Sequence, residues 1–320
     1  TLEANPNFYL GEPKTKNLIF KVVATNAELQ AVETGDVDIH DQVVCDDDHI
    51  EEAMSAGFIN LKIQPTLGYG YVATNQKNEI FQDVKVRQAL LHAIDRKSLN
   101  QAVYGQYAIT LNIPQAPISW LYDDEGMETY DYDLEKAAEL LKEAGWEKDG
   151  DKLMKDGKQM KIVFSAMSGN VVTDTMIPLM IDAYGQLGID FQAEYVDWPT
   201  LQSKSQNGTF DMLFMAWGLT ADPDLTGTFA SAEAGGTQNR TGYANPELDK
   251  MLAEALASTS QDEQKEKYKE VYKLINEELP LYPIYERCDL ICYNTRVQNI
   301  EQSSYVKWYQ QDKIVNIEVE

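Results

Sequence analysis

Between residues 160 and 216 the chain alternates strand and helix in an order that few folds accommodate. Residues 161–166 (KIVFSA) read as a strand, 172–185 as a helix, 189–196 as a strand, 199–206 as a helix and 211–216 as a strand. Short apolar runs bounded by turn residues and separated by helical periods predict a parallel or mixed sheet covered by helices. The same α/β character extends both ways. Upstream, residues 18–23 (LIFKVV) read as a buried strand and 26–33 as a short helix ended by Gly35, with a new strand opening at Val37-Asp38-Ile39. Residues 67–74 (LGYGYVAT) form a strand carrying aromatics, residues 104–125 a loop rich in Pro, Gly and aromatics, and residues 149–157 a surface hairpin. Asp133 caps a helix with Leu134, Ala137, Ala138 and Leu141 on one face, stopped at Gly145. Downstream, Asn245 caps a helix with Pro246 in its first turn. A longer helix carries Tyr268, Val271, Tyr272 and Ile275 inward, and strands follow at 281–285 and 290–293.

A chain of 320 residues that is 43% hydrophobic can bury a large core, and its length favours two domains or lobes. Its formal net charge of −25 repels polyphosphates, which argues against nucleic acid and anionic lipid as partners. No apolar run approaches the ~20 residues that span a bilayer. There are three cysteines, Cys45, Cys288 and Cys292. In an extended strand Cys288 and Cys292 would lie roughly 13 Å apart, too far for a disulfide.

The sequence offers little for catalysis. Its histidines are His40, His49 and His92, and there is no nucleophile elbow, phosphate-binding glycine loop or zinc-protease pattern. His40, Asp41, Asp46, Asp47, Asp48 and His49 form the best metal candidate, since imidazole and carboxylate together can hold a transition metal. The acids at 46–48 also directly precede a helix at 50–56, where they would cap unpaired amides; this structural reading is preferred, and ligand contact from the loop after Ile39 is the third reading. The Trp217–Asp224 turn is the best ligand-site candidate. A tryptophan at the carboxyl end of a strand, followed by acids in a loop, joins an apolar wall to fixed negative charge. Such charge suits an α-amino group.

Residues 81–105 (FQDVKVRQALLHAIDRKSLNQAVYG) read as a helix at 84–92, a break at Asp95 and a second helix. Val86, Leu90 and Ala93 share a face, and Asp83 stands at the helix N-terminus. The run Phe81-x-Asp83-x-x-Val86-Arg87-x-Ala89, followed by Ala93-Ile94-Asp95-Arg96, resembles a segment of the dipeptide/oligopeptide-binding solute receptors of ABC importers. Further matches occur in order. They are Asn5-Pro6-Asn7-Phe8-Tyr9 with Gly11 and Pro13, then Gly35-Asp36-Val37-Asp38-Ile39, Leu187-Gly188-Ile189, and Asp197-Trp198. Gly208-Thr209-Phe210-Asp211-Met212 leads to Trp217-Gly218 and Asp222-Pro223-Asp224. Tyr243-x-Asn245-Pro246-Glu247-x-Asp249 and Leu279-Pro280-Leu281-Tyr282-Pro283 complete the series.

The resemblance implies an α/β, periplasmic-binding-protein-like (type II) two-lobed fold, here mostly one lobe plus parts of the other, with the family's N-terminal part missing. The expected divisions are a lobe I remnant at 1–67 (β-α-β), lobe II at 68–295 and a C-terminal return to lobe I at 296–320. It implies binding without chemistry: a monomeric, cofactor-free receptor that traps a peptide ligand between lobes and delivers it to a membrane ABC permease. Such a receptor would be extracytoplasmic, either periplasmic or lipid-anchored. Nickel complexes or other small solutes, and a peptide-pheromone signalling role, are the alternative readings; an acidic hydrolase is a third. In the family's peptide binders an aspartate shortly after the tryptophan takes the peptide amino terminus. Here the third residue past Trp217 is Thr220, and the first acid is Asp222. The expected ligand-binding residues are Trp217, Asp222, Asp224, Tyr69, Tyr71, Asn239, Arg240 and Tyr243, with Arg240 suited to a peptide carboxylate. Arg87 and Asp95 are expected to hold the helix pair together.

Overall fold

The computed structural model describes residues 1–24, 26–221 and 224–320. Contacts divide them into two compact units. Unit 1 comprises Thr1–Leu67, Tyr104–Ala108 and Arg287–Glu320; unit 2 comprises Gly68–Val103 and Ile109–Glu286. The chain passes from unit 1 to unit 2 between Leu67 and Gly68 and re-enters unit 1 at Arg287. Among the described residues no helix is long and apolar enough to cross a membrane.

The chain opens with β1 (Leu2–Glu3) and β2 (Asn17–Leu18), which pair antiparallel. The predicted strand at 18–23 is not formed beyond Leu18. Ile19, Phe20 and Val22 are 69%, 56% and 97% exposed, because among the described residues no strand partners them. Then come α1 (Glu28–Glu33), β3 (Ile39–Val44), α2 (Asp47–Ser55) and β4 (Ile59–Pro65). Leu29, Val32, Val43, Cys45, Ala53 and Ile59 pack with Leu290 and Cys292 as the core of this unit.

Unit 2 begins with β5 (Gly68–Thr74), every residue of which is buried. Helices α3 (Val84–His92) and α4 (Arg96–Tyr104) follow as expected. Asp83 accepts from the Lys85 amide at 2.9 Å, and Asp95 accepts from the Ser98 amide at 3.0 Å. These carboxylates satisfy amides that helix geometry leaves unpaired. Within the expected 104–125 loop lies a short strand, β6 (Ala108–Thr110). Then come α5 (Leu134–Glu143), capped by Asp133, and a meander of β7 (Glu147–Asp149), β8 (Lys152–Lys155) and β9 (Lys158–Gln159). The β8–β9 turn places Asp156 and Gly157 at φ 51° and 74°, the left-handed pair that a two-residue hairpin requires.

The alternating segment is realised as β10 (Lys161–Met167), α6 (Val171–Leu187), β11 (Asp190–Val196), α7 (Trp198–Asn207) and β12 (Met212–Gly218). After α8 (Thr226–Phe229) come α9 (Pro246–Leu256), α10 (Gln261–Glu278) and the long strand β13 (Leu281–Asn294). The sheet of unit 2 runs β11-β10-β12-β5-β13. Its β10 pairs parallel with both β11 and β12, whereas β5 pairs antiparallel with β12 and with the first residues of β13. A mixed sheet under helices is what the alternation required. The two strands expected at 281–285 and 290–293 are therefore one. Its later residues, Cys288–Asn294, pair in unit 1 with β4, and Asp289–Tyr293 pair there with β3. The chain ends with β14 (Val297–Gln298) and β15 (Glu318–Val319), an antiparallel pair.

Two buried arginines knit unit 2 together. Arg87, 2% exposed, donates to the Phe81 and Gln82 carbonyls at 2.9 Å and twice to the Glu278 carbonyl, at 2.9 and 2.5 Å. Its Nη2 also lies 3.3 Å from the Glu278 carboxylate. Arg87 thus ties α3 to the end of α10, not to α4 as expected. Arg96, 3% exposed, donates to the carbonyls of Leu111, Pro283, Thr129 and Tyr130. Burial draws its pKa down to about 10, still far above neutrality.

Unit 1 buries a charge cluster. Asp289 is 5% exposed, with Arg287 at 3.2 Å and Lys307 at 3.5 Å; Lys307 also reaches Asp41 at 3.3 Å. Burial raises the Asp289 pKa, and the two cations only partly oppose it. A carboxyl raised in the folded state favours folding fully below its ordinary value of 3.8, and loses that contribution as pH rises through the folded value. Asp289→Asn lacks this term. Urea titrations across pH 3–7 should therefore show the variant gaining stability relative to the parent as pH rises from about 4. A difference between the two proteins that does not change with pH would refute this assignment.

Candidate functional site

The site is set by the register of β5 on β12. Tyr69 stands opposite Trp217, Tyr71 opposite Met215 and Gly68 opposite Gly218. Directly opposed residues of an antiparallel pair project from the same face, so two tyrosines, a methionine and a tryptophan form one patch. Gly68 permits this register. A Cβ there would lie 2.5 Å from the Trp217 carbonyl oxygen, a backbone atom that cannot rotate away. Gly68→Ala is expected to cost about 1–3 kcal/mol of stability through strand displacement. Chemical denaturation checks this, and an unchanged midpoint would disprove it.

Helix α7 supplies the second wall. Asp197 caps it through the Thr200 amide at 2.9 Å. Trp198, Gln202, Ser205 and Gln206 recur at helical spacing and share a face. With Tyr71, Met215, Ala216, Trp217, Gly218 and Arg240 they line a cavity of about 300 Å³. Ser205 is 2% exposed, and among the described residues its Oγ has no hydrogen-bond partner.

The third wall is the loop that carries Arg240. Its start is held by Gly236, where a Cβ would sit 1.9 Å from the Ala230 carbonyl oxygen. Asn239 then braces the turn. Its Nδ2 donates to the Ala230 and Tyr243 carbonyls at 2.9 and 2.7 Å, and its Oδ1 accepts from the Thr241 hydroxyl and the Gly242 amide at 3.1 Å. Arg240 follows at the cavity, and among the described residues no carboxylate lies within ion-pair distance of it. Burial pushes the Tyr71 phenol up to about 12, with Arg240 pulling the other way, so Tyr71 keeps its proton at neutral pH.

The eight expected residues thus separate. Trp217, Tyr71 and Arg240 meet at the cavity. Tyr69, Tyr71 and Tyr243, 3%, 4% and 6% exposed, all belong to the hydrophobic core, and of the three only Tyr71 also lines the cavity. Asn239 spends its polar atoms on the loop, and Asp224 Oδ1 accepts from the Thr226 amide at 2.8 Å. Asp222 lies outside the described residues. Helix α7 adds lining residues beyond the eight expected ones. The spacing of Trp198, Gln202 and Gln206 four apart marks one helix face but not what lies against it. The acidic cluster near residue 46 serves local structure. Asp46 accepts from the His49 amide and ring at 2.7 Å, and Asp47 accepts from the Tyr107 hydroxyl at 3.0 Å. Among the described residues no three His, Cys, Asp or Glu side chains are grouped to hold a metal ion.

The comparisons with known proteins agree with this architecture. The sequence profile of the bacterial extracellular solute-binding proteins, family 5 (middle region), matches residues 1–239. The oligopeptide-binding protein AppA of Bacillus subtilis is 32% identical over 292 residues, which cover 89% of this chain and 53% of AppA. The probable di/tripeptide-binding protein 5 of Pseudomonas aeruginosa is 29% identical over 292 residues, 88% of this chain and 52% of that protein. The structure of Bacillus subtilis AppA in complex with a nonapeptide superposes with a TM-score of 0.89 at 26% identity, covering 99% of this chain and 63% of that one. The chain spans about half the length of the curated relatives it matches. By its fold and the match across most of its length, the chain belongs to the bacterial extracellular solute-binding proteins, family 5.

Proposed function

We propose that this chain forms part of an extracytoplasmic receptor that binds peptides and hands them to an ABC permease in the membrane. The observation that carries this reading is the cavity between β5, β12 and α7, where Arg240 stands without a carboxylate partner among the described residues. In a protein of net charge −25, a guanidinium beside an aromatic wall suits a ligand bearing a carboxylate. Trp217 and Met215 supply flat apolar contact, while the Tyr71 and Ser205 hydroxyls offer hydrogen bonds. Aromatic walls with a few placed polar groups suit ligands that share a backbone but differ in side chain. The names of the relatives, oligopeptide- and di/tripeptide-binding proteins, support the same ligand class. The receptor acts by binding alone, as a monomer, either in the periplasm or lipid-anchored outside the cell membrane. Asp222, or Asp224 beside it, is proposed to receive the peptide's α-amino group.

Native mass spectrometry of the receptor isolated from cells tests this. Added mass distributed over several short peptides, lost in a variant carrying both Trp217→Ala and Arg240→Gln, is the expected result. One discrete metal complex or non-peptide adduct would overturn the peptide assignment and favour another solute.

A further inference from the structure

Cys45 and Cys288 lie far apart in sequence yet meet in unit 1. The antiparallel register of β13 on β3 pairs Leu290 with Val43 and Asp289 with Val44. Continued one step past the end of β3, this register would set Cys288 opposite Cys45. Opposed residues in such a ladder have Cα atoms about 4.5 or 5.5 Å apart, and both spacings fall within the roughly 4.4–6.8 Å that a disulfide spans. Both side chains then project from one face. Packing agrees: Cys45 is fully buried in the unit 1 core, and half-buried Cys288 packs against that core. Burial, with Cys288 adding to it, pushes the Cys45 thiol up to about 12. Cys292 is not a competitor, since its register partner on β3 is His40.

We propose that Cys45 and Cys288 are a cross-strand redox pair that closes to a disulfide outside the cytoplasm and staples the end of β3 to β13. Extracytoplasmic compartments permit such bonds to form and persist. The chemistry is thiol–disulfide exchange with a disulfide-bearing oxidant. The Cys288 thiolate, on the more exposed partner, attacks one sulfur of the oxidant and expels its other sulfur as a thiolate. The Cys45 thiolate then attacks the Cys288 sulfur of the mixed disulfide and expels the second oxidant thiolate. Two electrons and two protons leave the cysteine pair, and the oxidant becomes a dithiol. The second step needs ionised Cys45, which the closed core opposes, so the bond forms during folding and only slowly in the folded, reduced protein. Cys45 immediately precedes Asp46, the cap of α2, so the bond also pins the β3–α2 corner.

The test is to isolate the receptor from its cells without reductant, alkylate it in denaturant and digest it. A linked fragment pair containing Cys45 and Cys288, lighter by two hydrogens than the separate fragments, is expected. The same pair should appear after refolding of reduced receptor in oxidised glutathione. Alkyl label on both cysteines in both samples, or linkage through Cys292, would overturn the proposal. Reductant should also lower the thermal midpoint by several degrees in the parent but not in Cys288→Ser. Equal midpoints with and without reductant in the parent would overturn the staple. Neither readout depends on which ligand the receptor carries.

Discussion

Arg87→Met is expected to lower the unfolding free energy by about 3 kcal/mol or more, because it removes the donor from three carbonyls. The guanidinium reaches the carbonyls of Phe81, Gln82 and Glu278 from a side chain only 2% exposed. Methionine fills similar volume with no donor. The carbonyls would then be buried and unpaired, each costing about 1–3 kcal/mol if no water reaches it. Arg87→Lys should recover only part of the loss, because an ammonium cannot reproduce the planar fork that bonds carbonyls on two sides. Urea unfolding at neutral pH gives the comparison. A methionine variant within 1 kcal/mol of the parent would show that the clamp is dispensable.

The second large effect falls on binding. In the complete receptor, Trp217→Ala is expected to weaken peptide affinity by about 2 kcal/mol or more, roughly thirtyfold, as removal of a central aromatic contact does. Trp217 is half-buried at the end of β12, so its loss should disturb the fold far less than the loss of Arg87. Calorimetry with a peptide found in the receptor gives the affinity, and far-ultraviolet circular dichroism reports the fold. Unchanged affinity with unchanged fold would remove Trp217 from the site.

Local chemistry was legible wherever a residue settles its own surroundings. The helices at 84–92 and 96–104 follow from capping carboxylates and apolar spacing, and the structure forms both. The run at 18–23 has the composition of a buried strand, yet burial depends on a partner, and beyond Leu18 none pairs with it among the described residues. The break expected between 285 and 290 fails for the opposite reason. Polar Glu286, Arg287 and Asp289 interrupt the apolar pattern, but the backbone stays extended because Leu281–Tyr285 and Cys288–Asn294 each find partners. At the site, Trp217, Tyr71 and Arg240 announce themselves by size and charge. Tyr69, two residues from Tyr71, on the same face and equally buried, does not line the cavity, since alternation gives the face and not the position of the cavity along it. Gln202, Ser205 and Gln206 look like an ordinary polar helix surface until β12 is seen beside them.

The central position of β5 has a consequence for biogenesis. Residues 68–74 are buried throughout, and their ladder partners are residues 212–218 and 281–285. The first of those partners begins 138 residues later in the chain (212 − 74). At roughly 5–20 residues per second, a nascent chain carries the unpaired GYGYVAT segment for about 7–28 s before β12 exists. During that interval a β-prone, uncharged segment is open to wrong pairing with other chains. A chaperone holding the growing or exported chain would therefore protect it most by covering this one segment.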